Sequence, residues 1–116
     1  GVESMDTEFL KPLWKERLFD LGNKSRRMLR QSLEALMNLD IAVAREVMQA
    51  DDDVDDAYRD FVNNMVQEQK RHPEQAHKIV GWILVAKNIE RIADLATNIA
   101  EDTIYTVDGE IIRHGY

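Results

Sequence analysis

The stretch Asn88 to Asp102, NIERIADLATNIAED, decides how this chain is read. It sets Glu90, Asp94, Asn98 and Glu101 at steps of four, four and three. On a helix of 3.6 residues per turn these fall within a band about 80° wide, one polar ladder on one side. Beside the ladder run Ala86, Ala93, Ala100 and Ile104, with Thr97 as the one weakly polar member of the row, and beyond them Ile89, Ile92, Ala96 and Ile99. So wide an apolar arc predicts a helix packed against two neighbours rather than one.

Working outward, His72-Pro73 marks a break before this helix, because a residue preceding proline is pushed out of the α region. The helix is therefore expected from about Glu74 to Val107, with Asp108-Gly109 as its terminator. Its seam is Ala76, Ile79, Ile83, Ala86, Glu90, Ala93, Thr97, Ala100, Ile104 and Val107, and Glu90 is the misplaced member. A second helix is predicted from about Ile41 to Arg71, its stripe at Val47, Asp51, Val54, Tyr58, Phe61 and Met65. Here Asp51 occupies an apolar slot. The first helix is expected from about Asp6 to Leu39, interrupted by Gly22, with a turn at Asn38-Leu39-Asp40 and Asp40 capping the second helix. Three helices joined by turns of a few residues predict an all-α, antiparallel up-down-up three-helix bundle.

Composition agrees with that class. The 116 residues are 44% hydrophobic and 7% aromatic, with two prolines and five glycines, which fits one helical domain with a modest core. A net charge of −7 argues against a nucleic-acid or anionic-membrane binder, whose affinity rests on a basic footprint. The absence of cysteine excludes a disulfide frame, a thiolate metal site and a thiol nucleophile. No run approaches the length of a membrane span and no signal-peptide pattern opens the chain, so a cytoplasmic location is expected. The opening residues 1–5 are unpatterned and are read as a cloning remnant or a disordered segment, with the domain at 6–116.

Two carboxylate pairs stand out. Asp51 and Asp55 form an i, i+4 pair on the second helix, and Glu90 and Asp94 form one on the third. Their midpoints, 53 and 92, have a mean of 72.5, which falls on the His72-Pro73 turn, so in an antiparallel hairpin the pairs face each other. Carboxylates in an apolar seam cost several kcal/mol each unless paired, protonated or metal-bound. Hard oxygen donors suit Mg²⁺, Ca²⁺, Mn²⁺ and iron. The same acids also read as a solvated face neutralised by Arg59, Arg91 and the Lys24, Arg26, Arg27, Arg30 group of the first helix. Spacing alone leaves both readings open. Asn98 and Glu101 fit hydrogen bonding to neighbouring helices, Trp14, Tyr58, Phe61 and Trp82 fit packing, and His72, His77 and His114 fit the surface. No nucleophile with a base, phosphate-cradling glycine loop or recognition helix is present.

The segment NIERIADLATNIAEDTIYTVDGEIIRH, Asn88 to His114, closely resembles the closing segment of the PhoU family of bacterial phosphate-uptake and phosphate-signalling regulators, and ADDDVDDAYR resembles the acidic segment of its preceding helix. The resemblance runs from about Asp6 to His114. It implies a fold of tandem three-helix repeats carrying E/D-x-x-x-D motifs, which in some members bind multinuclear iron or other metal ions. The matching positions here are Asp51 and Asp55, then Glu90 and Asp94. Iron, zinc, manganese or magnesium are the metals this implies.

Two departures from the pattern matter. The chain carries one repeat, matching the second, which implies a C-terminal half or a single-repeat relative that forms a homodimer. Leu95 stands where relatives often have a histidine, which favours a purely oxygen-ligated site.

The function implied is that of a non-catalytic cytoplasmic adaptor. It would link a phosphate ABC transporter to a sensor histidine kinase and restrain phosphate uptake and the starvation response, reaching the membrane only through partners. Two alternatives stand beside it. A carboxylate-bridged metalloenzyme lacks the Glu-x-x-His element of di-iron bundles. A metal-free helical dimerisation module would leave the acids solvated.

Overall fold

The computed structural model of the protein describes the backbone of residues 11–113 and the side chains of 11–109. Its first helix, α1, spans Pro12–Asn38, with Pro12 in the first turn, where its missing N–H costs nothing. The expected start at Asp6 lies outside the described residues. Leu18, Leu21, Met28 and Ala35 are buried along one face, with Ser25 and Ser32 between them. Ser32 donates its hydroxyl back to the Leu29 carbonyl, 2.7 Å away, which satisfies a polar group inside the core. Gly22 does not interrupt the helix. A Cβ built there would meet nothing within 4 Å, so packing does not require the glycine.

Leu39 ends α1 in the left-handed region, at φ 49° and ψ 45°. Its N–H bonds to the Leu36 carbonyl and that of Asp40 to the Ala35 carbonyl, a Schellman closure built on a residue whose Cβ makes it costly. Asp40 then caps α2 (Ile41–Arg71), its Oδ1 accepting from the Val43 N–H at 3.2 Å. On α2, Val47, Val54, Phe61 and Met65 are buried as the heptad pattern predicts. Asp51 and Tyr58 of the same stripe are half-buried. His72, extended at φ −133°, closes the helix before a 3-10 turn at Pro73–Gln75.

The third helix, α3, spans Ala76–Arg113, and here the sequence reading needs correction. The helix does not stop at Val107: Asp108 and Gly109 lie inside it. A glycine ends a helix by entering the left-handed region, and Gly109 does not adopt a positive φ. Kept right-handed, it costs only about 1 kcal/mol relative to alanine. Glu110-Ile111-Ile112-Arg113 bring no further breaker, so the hydrogen-bond ladder continues.

Each helix packs against the other two. The molecule measures 64 × 23 × 19 Å, a rod one long helix in length. Among the described residues, α3 contributes Ile79, Ala86, Ala93, Ala96 and Ala100 to the core, all fully buried. Four alanines on one helix let the backbones of its neighbours approach closely. Trp14 and Trp82 pack against this core from its margin. Thr97 and Thr103 donate back to the carbonyls of Asp94 and Ile99, at 2.8 and 3.0 Å, which for the fully buried Thr103 removes the cost of a hydroxyl inside the core.

Ion pairs add register. Glu68, buried at the end of α2, takes Lys11 from the start of α1 at 3.4 Å and Arg71 at 3.0 Å. Arg17 pairs with Asp60 on the surface and stacks its guanidinium over Trp14.

Candidate metal centre

Helix periodicity sets the site. Asp51 sits in the core stripe of α2, and Asp55 lies one turn further on the same side. Asp94 lies one turn beyond Glu90 on α3. One carboxylate oxygen from each of Asp51, Asp55 and Asp94 lies within 4.8 Å of the other two. Oxygens bound to one divalent ion at roughly 2.0–2.6 Å stand no further apart than about 5 Å, so this spacing fits a single hard cation. Asp51 and Asp55 are half-buried and Asp94 is exposed, which puts the group at the surface of the α2–α3 seam.

The fit has a second support. Asp51 Oδ1 is buried without a hydrogen-bond partner among the described residues. An orphaned, charged oxygen is expensive, and a cation is what relieves it. Burial raises the Asp51 carboxyl above its ordinary value of 3.8, and Asp55, Asp94, Asp52 and Glu90 push it the same way. Asp55 is raised by burial and then by Glu90, Asp94 and Asp52, against the opposing pull of Arg59. The pocket therefore favours a proton or a metal over bare charge.

Glu90 is placed differently from the other three. It is buried, 8% exposed, yet it does not join the converging trio. Its Oε1 accepts a 2.8 Å hydrogen bond from the Lys87 ammonium, which also lies 5.5 Å from the centre of the Tyr58 ring. That bond, with the charge behind it, holds the Lys87 ammonium above its ordinary value. Sequence reading passed over Lys87, although a lysine three residues before a glutamate on one helix is a legible pair.

Four of the six basic residues expected to neutralise the acids have partners outside the cluster, although Arg59 still lowers the Asp55 carboxyl. Lys24 pairs with Asp20, Arg30 with Glu34 and Arg59 with Asp56, while Arg91 donates to Asn88. Asn98 and Glu101, the upper half of the ladder, are exposed, as are His72 and His77. His114 lies outside the described residues.

The raised carboxyls fix the sign of a pH effect. An acid whose folded pKa exceeds its unfolded value stabilises the fold below the unfolded value, and that contribution is lost as pH rises through the folded one. In metal-free buffer near neutral pH, Asp51→Asn is therefore expected to stabilise the protein by about 1 kcal/mol, a figure discounted for partial exposure. The difference from the parent should shrink as the pH falls toward 3.8. Thermal melts of both proteins at several pH values check this; a gap that widens on acidification contradicts the assignment.

Comparison with known proteins places the chain. The PhoU domain matches residues 18–103. A phosphate-specific transport system accessory protein PhoU homolog of Clostridium acetobutylicum is 32% identical over 95 residues, covering 82% of this chain and 43% of that protein. One from a Burkholderia species is 37% identical over 87 residues, covering 75% and 37%. PhoU homolog 2 of Thermotoga maritima is 32% identical over 112 residues, covering 97% and 47%. The chain thus spans less than half the length of these curated relatives. No solved structure matches it. With the match running through all three helices and both carboxylate pairs, the chain belongs to the PhoU domain family.

Proposed function

We propose that this chain is a metal-binding, non-catalytic regulatory module of phosphate uptake, working in the cytoplasm as an adaptor between a phosphate ABC transporter and a sensor histidine kinase. The observation that carries the regulatory part is the family match over residues 18–103, whose relatives are named as accessory proteins of phosphate-specific transport. The metal part is supported by the three convergent carboxylates and the orphaned oxygen of Asp51. Asp51, Asp55 and Asp94 would hold the ion. Bound there, iron, zinc, manganese or magnesium would supply positive charge on an otherwise acidic surface, where a phosphate or a partner's carboxylate can be met.

The reading includes an up-down-up order of the helices. Lys11–Glu68 and Arg17–Asp60 support it, each joining residues nearly equidistant from the Leu39–Asp40 turn. It also includes a homo-oligomer, supported by exposed apolar side chains on two helices: Phe19, Leu33 and Leu36 on α1, and Leu84, Ile92 and Leu95 on α3. No helix among the described residues is long and apolar enough to cross a membrane, in keeping with contact to the membrane through partners.

Immobilised protein tests the adaptor role against detergent-solubilised phosphate transporter and the cytoplasmic part of the kinase, with and without Mn²⁺. Retention of both, stronger with the ion, is expected. Failure to retain either one removes the adaptor reading, and retention indifferent to Mn²⁺ removes the metal from it.

A further inference from the structure

The outer face of α1 runs against the charge of the rest of the molecule. The helix carries six lysines and arginines against three acids, whereas α2 carries four against eight. Asn23, Arg26, Arg27 and Arg30 stand at i, i+3, i+4 and i+7, which makes one face over two turns. Their side chains line a single surface cavity of about 410 Å³, and all four are exposed. Like charges one turn apart weaken a helix, and in a chain with 22 acids such charges are readily paired. Yet Arg26 and Arg27 make no hydrogen bond or ion pair among the described residues. Arg30 meets Glu34 through its Nε at 3.6 Å, too long for a hydrogen bond.

The donor set selects a ligand class. A carboxylate offers two oxygens and one charge, which three guanidinium forks and an amide exceed. A phosphoryl group brings three acceptor oxygens and a charge of about −1.5 to −2 at pH 7, and planar forks match its geometry. The net charge of −7 does not forbid such an anion. The rod is 23 × 19 Å across, so acids on its far side lie beyond the screening length of roughly 8 Å at physiological salt. We propose that Asn23, Arg26, Arg27 and Arg30 form a binding site for a phosphoryl dianion, either free phosphate or the phosphate-monoester headgroup of a lipid. Phe19 and Met37 bear on the second source: they are 76% and 83% exposed and continue the line of Arg26 and Arg30 along α1, seven residues to either side. Apolar tips flanking a row of cations suit a lipid surface and add nothing for a free ion. The site does not depend on the metal reading, because the outer face of α1 lies across the rod from the α2–α3 seam.

The first arm of the test titrates inorganic phosphate into the full chain at constant ionic strength and follows backbone and side-chain amide shifts by NMR. The second sediments the chain with phosphatidylcholine vesicles, with and without phosphatidic acid. Both use the parent, Arg26→Gln/Arg27→Gln and Phe19→Ser, and circular dichroism checks helicity, which glutamine at exposed helical positions preserves. Saturable shifts centred on residues 23–30, about tenfold weaker in Arg26→Gln/Arg27→Gln and unchanged in Phe19→Ser, support the site with free phosphate as its ligand. Sedimentation that requires phosphatidic acid, and is lost in both variants, supports it with the headgroup as ligand. Absence of binding in both arms overturns the proposal. So does binding that Arg26→Gln/Arg27→Gln leaves intact, or shifts that chloride reproduces at the same ionic strength.

Discussion

Saturating Mn²⁺ is expected to raise the melting temperature of this protein by about 10 °C, and Asp51→Ala/Asp94→Ala to abolish the rise. A ligand that binds only the folded state stabilises by RT ln(1 + [L]/Kd), about 2.7 kcal/mol at a hundredfold excess over Kd. For a domain of this size each kcal/mol moves the midpoint by roughly 4 °C. The variant removes two of the three carboxylates that converge within 4.8 Å, and with Asp51 it removes the orphaned Oδ1. It leaves Glu90 and Lys87 paired, so no freed lysine can enter the space and mimic the ion.

The signs separate the competing readings. Without metal, deleting two like charges from a crowded group is expected to leave stability unchanged or raise it, because Asp51 is already pushed toward protonation by burial and by the charges of Asp55 and Asp94. With metal, the same deletion removes the whole gain. A structural carboxylate would behave in the opposite way, its loss weakening the protein in either buffer. Melts in chelator and in Mn²⁺ decide the matter, together with metal content per chain after purification without chelator. If the parent's midpoint is the same in both buffers, the acids are a solvated face, and docking of partners must proceed without a metal.

Much of this arrangement was legible before any coordinates. Heptad spacing gave the three helices, because period and length are properties of the sequence itself. Two charged residues in apolar slots, Asp51 and Glu90, marked the site, and equal distances from the His72-Pro73 turn predicted that α2 and α3 would bring their acids together. What escaped was decided by competition. Asp108-Gly109 reads as a stop, yet the helix passes through because glycine only permits a left-handed turn and does not impose one. Glu90 reads as a fourth ligand, yet its rotamer is held by Lys87, a choice between two partners that spacing cannot rank. Lys24, Arg26, Arg27 and Arg30 of α1 read as neutralising the cluster, but two of them, Lys24 and Arg30, found acids on their own helix one turn away.

The close approach of α3 to its neighbours is what lets three short carboxylates meet, and Ala93→Leu is expected to spoil both packing and site. Ala86, Ala93 and Ala100 recur at seven-residue steps and are fully buried. Ala93 lies one turn from Glu90 on the helix and directly precedes Asp94 in sequence, so a shift of the backbone there moves both acids. A leucine there adds three heavy atoms where the core has no room, which costs about 1–3 kcal/mol as side chains leave their rotamers and the helix shifts. Aspartate has a short reach, so a shift of about 1 Å cannot be absorbed by the carboxylates, and Mn²⁺ affinity should fall along with stability. Leu95→Ala is the matched control: Leu95 neighbours the same aspartate but is 51% exposed, and truncating it should change stability by no more than about 0.5 kcal/mol and leave the ion bound. Urea midpoints and Mn²⁺ titrations of the two variants check both halves. Should Ala93→Leu lose stability yet hold the ion as the parent does, the carboxylates converge by their own flexibility, and the alanine row serves the core alone.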